Sequence, residues 1–193
     1  ELQLIFNPLP VANQPVPYSL CDTNTPGDQV EQFDLTTKIA EITGGVSGVS
    51  VTFHTTYANA QAGSNAITNT QAFVNNPPVQ ALFVRVTDDV TGCYRIVLLD
   101  VRVEPLPVIT VPTPEDLTVC DGNGNGFGVF DLDALVQDMV NNGANLAVSF
   151  HYTQYDAQHN LFPITDTGAF HNNNPLTQNI WVRVVNTVTG CVG

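Results

Sequence analysis

Four cysteines are the residues of this chain best placed to do chemistry, and they fall into two equivalent pairs. Cys21 and Cys120 each open a stretch rich in Asp, Asn and Gly, whereas Cys93 and Cys191 each close a Thr-Gly-Cys turn. No Cys-x-x-Cys or nearby Cys/His spacing points to zinc or a redox dithiol. An even count in equivalent places reads as one disulfide per domain in an oxidising compartment, Cys21 with Cys93 and Cys120 with Cys191. The first loop so closed is long (93 − 21 = 72 residues), and such a bond is worth roughly 4 kcal/mol in the chain-entropy picture. The bland alternative is four buried free thiols.

The second candidate chemistry is cation binding. Asp121, Asn123 and Asn125 alternate, Gly126 stands sixth and Asp131 eleventh. Alternate oxygen side chains with a glycine at the sixth position are how calcium loops wrap their ion. The pattern departs at its end, where Leu132 takes the place of a bidentate Glu. The first copy offers Asp22, Asn24, Asp28 and Asp34, with Pro26 and two extra residues intervening. An Asx-turn loop leading to a helix cap needs the same residue types.

The remaining candidates read as structural. His54 and His151 have no nearby carboxylate or Cys pattern and are expected to be exposed strand residues; His159 and His171 have no counterparts. Asp88-Asp89 becomes Asn186-Thr187 in the second copy, which favours turn formation over a carboxylate pair. Trp181 and its counterpart Phe83 are the aromatic candidates for stacking on a sugar, against the commoner role of packing beneath a loop. No nucleophile elbow, phosphate loop or metalloprotease motif is present, and a non-enzymatic protein is expected.

These residues are positioned by a repeat. Phe33-Asp34-Leu35 recurs as Phe130-Asp131-Leu132, and Phe53-His54 as Phe150-His151, each displaced by 97 (130 − 33; 150 − 53). A period near 97 is too long for a solenoid, whose repeats run to about 20–50 residues, and is the size of a small domain. The domains expected are residues 8–104 and 105–193. Residues 1–7 read as the end of a last strand from a preceding copy. The second domain stops before its own last strand, so a chain continuing in both directions is expected.

Composition bounds the partners. Eighteen acidic residues face five basic ones, a net charge of −13. That disfavours nucleic acid, whose phosphates need Lys and Arg, and an anionic membrane surface. No apolar run is long enough for a membrane span. Pro8, Pro10, Pro15 and Pro17 enter the first copy, and Pro105, Pro107, Pro112 and Pro114 the second. Proline fixes φ and lacks a donor, so stiff, extended connectors are expected.

Local pattern supplies the elements. Helices are expected over Leu35–Ile42 and Asp133–Val140, with Asp34 and Asp131 or Asp133 as N-caps and Gly44-Gly45 and Gly143 as stops. Val49, Val51 and Phe53 alternate with polar residues, as do Leu146, Val148 and Phe150, the period of a half-buried strand. Leu82, Val84 and Val86 continue through a turn at Asp88–Gly92 into Tyr94–Val103, a hairpin. The fold class expected is all-β: two tandem immunoglobulin-like β-sandwiches, each with one short helix.

Pro8–Val11, Cys21–Asn24, Phe33–Leu35, Val51–His54, Phe83–Val86 and Thr91–Tyr94 follow one another in an order that recurs at Pro105–Val108, Cys120–Asn123, Phe130–Leu132, Val148–His151, Trp181–Val184 and Thr189–Cys191. This succession resembles the tandem repeats of the very large gliding-motility adhesins of Bacteroidetes, the SprB type, over nearly the whole chain. The resemblance implies export by the type IX secretion system, display on the extracellular face of the outer membrane, and service as a filament in surface adhesion and gliding motility. The implied partners are neighbouring repeats and the secretion and gliding machinery; surface polysaccharide is a further candidate. The family has no catalytic residues to carry over. The rival functions are a carbohydrate-binding module and an accessory domain of a secreted polysaccharide-degrading enzyme.

Overall fold

The computed structural model describes residues 2–113, 115–141 and 143–193. Contacts divide the chain into two compact units, Glu1–Pro105 and Leu106–Gly193. Strand outweighs helix over the described residues taken together, in two tandem, mostly β domains.

In the first unit the strands are β1 (Tyr18–Cys21), β2 (Gln32–Phe33), β3 (Val49–His54), β4 (Phe73–Val74), β5 (Val79–Asp88) and β6 (Tyr94–Glu104). Four of them form a sheet in the order β1-β6-β5-β3. The β3–β5 and β5–β6 pairs are antiparallel, and β1 runs parallel to β6 with Cys21 opposite Glu104. Alternation works as expected: Leu82, Val84 and Val86 of β5 and Leu99, Val101 and Val103 of β6 are buried. Against them lies a second layer made of the β2–β4 ribbon, a 3-10 turn at Leu35–Lys38 and helix α1 (Ile39–Thr43). Phe33, Leu35 and Ile42 bring that layer into one core with Phe53 and the sheet. Tyr18 stands edge-on to Phe33 at 5.0 Å.

The expected helix at Leu35–Ile42 is thus a 3-10 turn running into a short α-helix. Asp34 caps it by accepting from the Thr36 N–H at 3.0 Å, and Gly44 stops it at φ 64°. A left-handed residue at this place suits glycine, which has no Cβ to clash. A second helix, α2 (Tyr57–Ala62), follows β3 where sequence suggested only a polar connection. Thr56 caps it and Gly63 ends it. Six residues are too few for hydrophobic periodicity to register, so the cap and the glycine were its only signals.

The second unit repeats the plan with β7 (Val129–Phe130), α3 (Leu132–Val140), β8 (Leu146–His151), α4 (Gln154–His159), β9 (Phe170–His171) and β10 (Trp181–Asn186). Asp131 caps α3, and Asn141 at φ 45° ends it, two residues before the expected Gly143. The core joins Leu132, Met139, Phe150 and Phe170. Among the described residues no counterpart of β6 exists. Leu117–Cys120, equivalent in sequence to β1, form no strand. Residues 2–7, expected to end a strand, form none; Glu1 and Pro114 lie outside the described residues. No helix is long and apolar enough to cross a membrane among the described residues.

Candidate functional site

The second cysteine of each copy is held by one turn, built twice. In the first, Asp88 Oδ1 accepts the N–H groups of Val90 and Thr91 and the Thr91 hydroxyl. Asn186 Oδ1 accepts from Val188 and Thr189 in the same way. Gly92 and Gly190 take φ 72° and 78°. The carbonyls of Cys93 and Cys191 then accept from Asp88 and Asn186, each at 2.9 Å. An Asx side chain bonding its own downstream backbone is the physics of this turn, and either Asp or Asn serves. The Thr91 backbone and side-chain hydrogen bonds hold the Asp88 carboxyl below its ordinary range.

The loop after the first cysteine differs between copies. Asp22 is buried, and its Oδ2 accepts from Gly27 and Gln29. Glu31 reaches back so that Oε1 accepts from Thr23 and Asn24. In the second copy Asp121 works alone, accepting from Asn123, Gly124 and Gly126. The Gly126 N–H contributes most to holding its carboxyl below the usual range. Asn123 and Asn125 turn their Oδ1 atoms onto the backbone N–H groups of Asn125 and Phe127. Asp28 does likewise with Val30, while Asp34 and Asp131 are helix caps. Of the residues proposed for calcium, Asp22, Asp28, Asp34, Asp121, Asn123, Asn125 and Asp131 each direct a side-chain oxygen at nearby backbone N–H groups, whereas Asn24 takes part through its backbone N–H, which donates to Glu31. Asp22 Oδ1 is buried without a hydrogen-bond partner. No group of three His, Cys, Asp or Glu side chains suited to a metal ion occurs among the described residues.

Two polar clamps recur in both copies, the first of them at the end of these loops, and sequence reading missed both. Asn75 and Asn172, equivalent at a spacing of 97 (172 − 75), use their amides on both sides of the first loop's end: Asn75 accepts from Glu31 and donates to Gln29, and Asn172 accepts from Gly128 and donates to Gly126. His54 and His151 are fully buried, at 0% exposure, not the exposed residues expected. Alternation along β3 does point His54 away from Phe53, but α2 packs on that face of β3 and β5 and covers it. Arg85 and Arg183 add to the same clamp by donating to the Ala60 and Ala157 carbonyls at the helix ends. The available signal was recurrence: Phe-His and the Asn pair appear twice at a spacing of 97 (150 − 53; 172 − 75), and Val-Arg-Val at 98 (182 − 84).

The aromatic candidates part company. Phe83 is packed edge-on beneath Tyr57 at 5.8 Å. Trp181, 43% exposed, faces solvent in part.

The cysteines decide the character of the site. Cys21 and Cys191 are disulfide-bonded, while Cys93, half-buried, and Cys120, exposed, are free thiols. The intradomain pairs expected from sequence, Cys21–Cys93 and Cys120–Cys191, are therefore not formed. The symmetric pairing assumed that each domain holds its own bond; here each unit holds one bonded and one free cysteine.

Two tandem all-β domains, each carrying cysteines at an early loop and a late turn, define a class of structural repeat. The chain belongs to the family described as the Flavobacterium inter-domain disulphide bond domain, whose model matches twice, over residues 17–107 and 116–193. No curated protein and no solved structure matched the chain.

Proposed function

We propose that this chain is a non-enzymatic structural stretch of a secreted cell-surface adhesin filament, serving adhesion and gliding, in which the disulfide runs between successive domains: Cys21 is bonded to Cys191. The observation that carries the reading is the unequal state of the two members of each equivalent pair of cysteines. One early and one late cysteine are bonded, and they belong to different units. The family description supports a bond of this kind. A bond closing a loop of this length (191 − 21 = 170 residues) reduces the freedom of the unfolded chain more than either intradomain bond would. It also requires an oxidising compartment, in keeping with export. The acidic surface suits a filament that must stay soluble.

Surface exposure is tested by shaving intact cells with protease. The repeats should be degraded while cytoplasmic proteins survive, and deletion of the repeat region should abolish attachment and spreading. Protection of the repeats in intact cells, with loss only after lysis, contradicts the reading.

A further inference from the structure

We propose that the second unit carries a strand-accepting groove along β10, and that Leu2–Phe6 of a second copy of this chain add to it as a strand, joining copies head to tail.

The first unit shows what such a groove holds. There β6 lies between β1 and β5. Its Leu99, Val101 and Val103 are buried. Leu99 stands opposite Leu82 of β5, and Val101 and Val103 stand opposite Tyr18 and Leu20 of β1. In the second unit only the start of that pairing is present. Val184 and Gly193 exchange backbone hydrogen bonds at 2.9 and 3.4 Å, in the register that Val86 keeps with Arg95. β5 begins at Val79, whereas β10 begins at Trp181, the counterpart of Phe83 (181 − 83 = 98). Residues 177–180, equivalent to 79–82, form no strand. Beside them is a cavity of about 590 Å³ walled by Leu117, Val119, Phe130, Leu132, Phe170 and Ile180. Leu117 and Val119 are exposed, and Ile180 is half-buried where its counterpart Leu82 is fully buried. All of these residues belong to the second unit.

The chain also contains a segment of the matching pattern. Pro8–Val11 corresponds to Pro105–Val108 at a spacing of 97 (105 − 8), so Leu2, Leu4 and Phe6 correspond to Leu99, Val101 and Val103 (99 − 2; 101 − 4; 103 − 6). The apolar alternation that β6 buries is thus repeated in a segment that forms no strand, with Leu2, Leu4 and Phe6 exposed at 87%, 76% and 94%. In the register of the first unit, the second copy's Leu2 meets Ile180, its Leu4 meets Leu117 and its Phe6 meets Val119. Strand addition of this kind draws affinity from main-chain hydrogen bonds and specificity from alternate side chains entering pockets. Pro8 ends the added strand as Pro105 follows the end of β6, because proline has no N–H for the ladder. Each copy offers one strand and one groove, so the contact is heterologous and builds linear chains or rings.

The test is sedimentation of the full chain with its free thiols blocked by a maleimide, so that copies cannot join through sulfur. The parent should associate reversibly across the micromolar to millimolar range. Leu4→Asp should weaken that association by about a hundredfold or more, because the groove would bury an unpaired carboxylate. Leu4 is exposed, so the variant should keep the parent's circular dichroism and melting curve. A synthetic peptide of residues 1–10 added to the Leu4→Asp chain should bind the groove and shift the emission of Trp181, the chain's one tryptophan, which adjoins Ile180. The same peptide carrying Leu2→Asp, Leu4→Asp and Phe6→Asp should leave the emission unchanged. A parent that stays monomeric throughout overturns the inference, as does association that Leu4→Asp leaves intact. Trp181 emission indifferent to the unsubstituted peptide overturns it equally.

Discussion

The Nδ1 atom of His54 lies 2.9 Å from the carbonyl oxygen of Ser64, ten residues along the chain, and His151 repeats the contact with Leu161 at 2.8 Å. A carbonyl only accepts, so Nδ1 carries the proton. Nε2 then accepts from the hydroxyl of Thr52 in the first copy and of Ser149 in the second, each at 2.9 Å. Each imidazole ties a strand to the chain leaving the helix that covers it.

His54→Ala removes both bonds and leaves a buried carbonyl and a void. A loss of about 2–4 kcal/mol is expected, read as a lower urea midpoint for the first domain. His151→Ala should act in the same way on the second domain. A midpoint unchanged within error would show that the imidazole is only filling space.

Asp88→Asn replaces one turn residue with the one its own counterpart uses. At neutral pH the variant should unfold like the parent. The sign of the acid effect follows from the lowered pKa of Asp88. A depressed carboxylate contributes stability above its unfolded pKa and loses it as pH falls through the folded value. The parent should therefore lose more stability than Asp88→Asn between neutral pH and the region below the ordinary aspartate range. Parallel acid-unfolding curves would contradict this.

Asp121→Ala frees the N–H groups of Asn123, Gly124 and Gly126 together. The melting temperature of the second domain should fall in the presence of chelator, because the loop loses its own organising acceptor. A fall seen only when calcium is present would assign the carboxylate to a cation instead of the turn. Calorimetry at millimolar calcium, the range of extracellular calcium modules at about 10⁻⁴–10⁻³ M, reads that alternative directly.

The repeat made much of the fold legible. Two copies at a spacing of 97 or 98 (131 − 34; 186 − 88) revealed the tandem domains, the caps Asp34 and Asp131, the hairpin turn at Asp88 and the alternation of β5. The short helices α2 and α4 escaped because six residues carry no usable periodicity. His54 was misjudged because period-two alternation assumes a solvated outer face, and α2 covers that face. The cysteines expose a different limit. Sequence shows that Cys21 is equivalent to Cys120 and Cys93 to Cys191, but four cysteines allow three connectivities. Equivalence favours the pairing that looks the same in both domains.

The connectivity can be measured on the chain itself. Lys38, Arg85, Arg95, Arg102 and Arg183 place the four cysteines in separate tryptic fragments: 1–38, 86–95, 103–183 and 184–193. Free thiols are alkylated with a maleimide, the unreduced protein is digested, and the linked fragments are weighed. The account predicts fragment 1–38 joined to 184–193, with alkylated Cys93 in 86–95 and alkylated Cys120 in 103–183. Fragment 1–38 joined to 86–95, and 103–183 joined to 184–193, would contradict it.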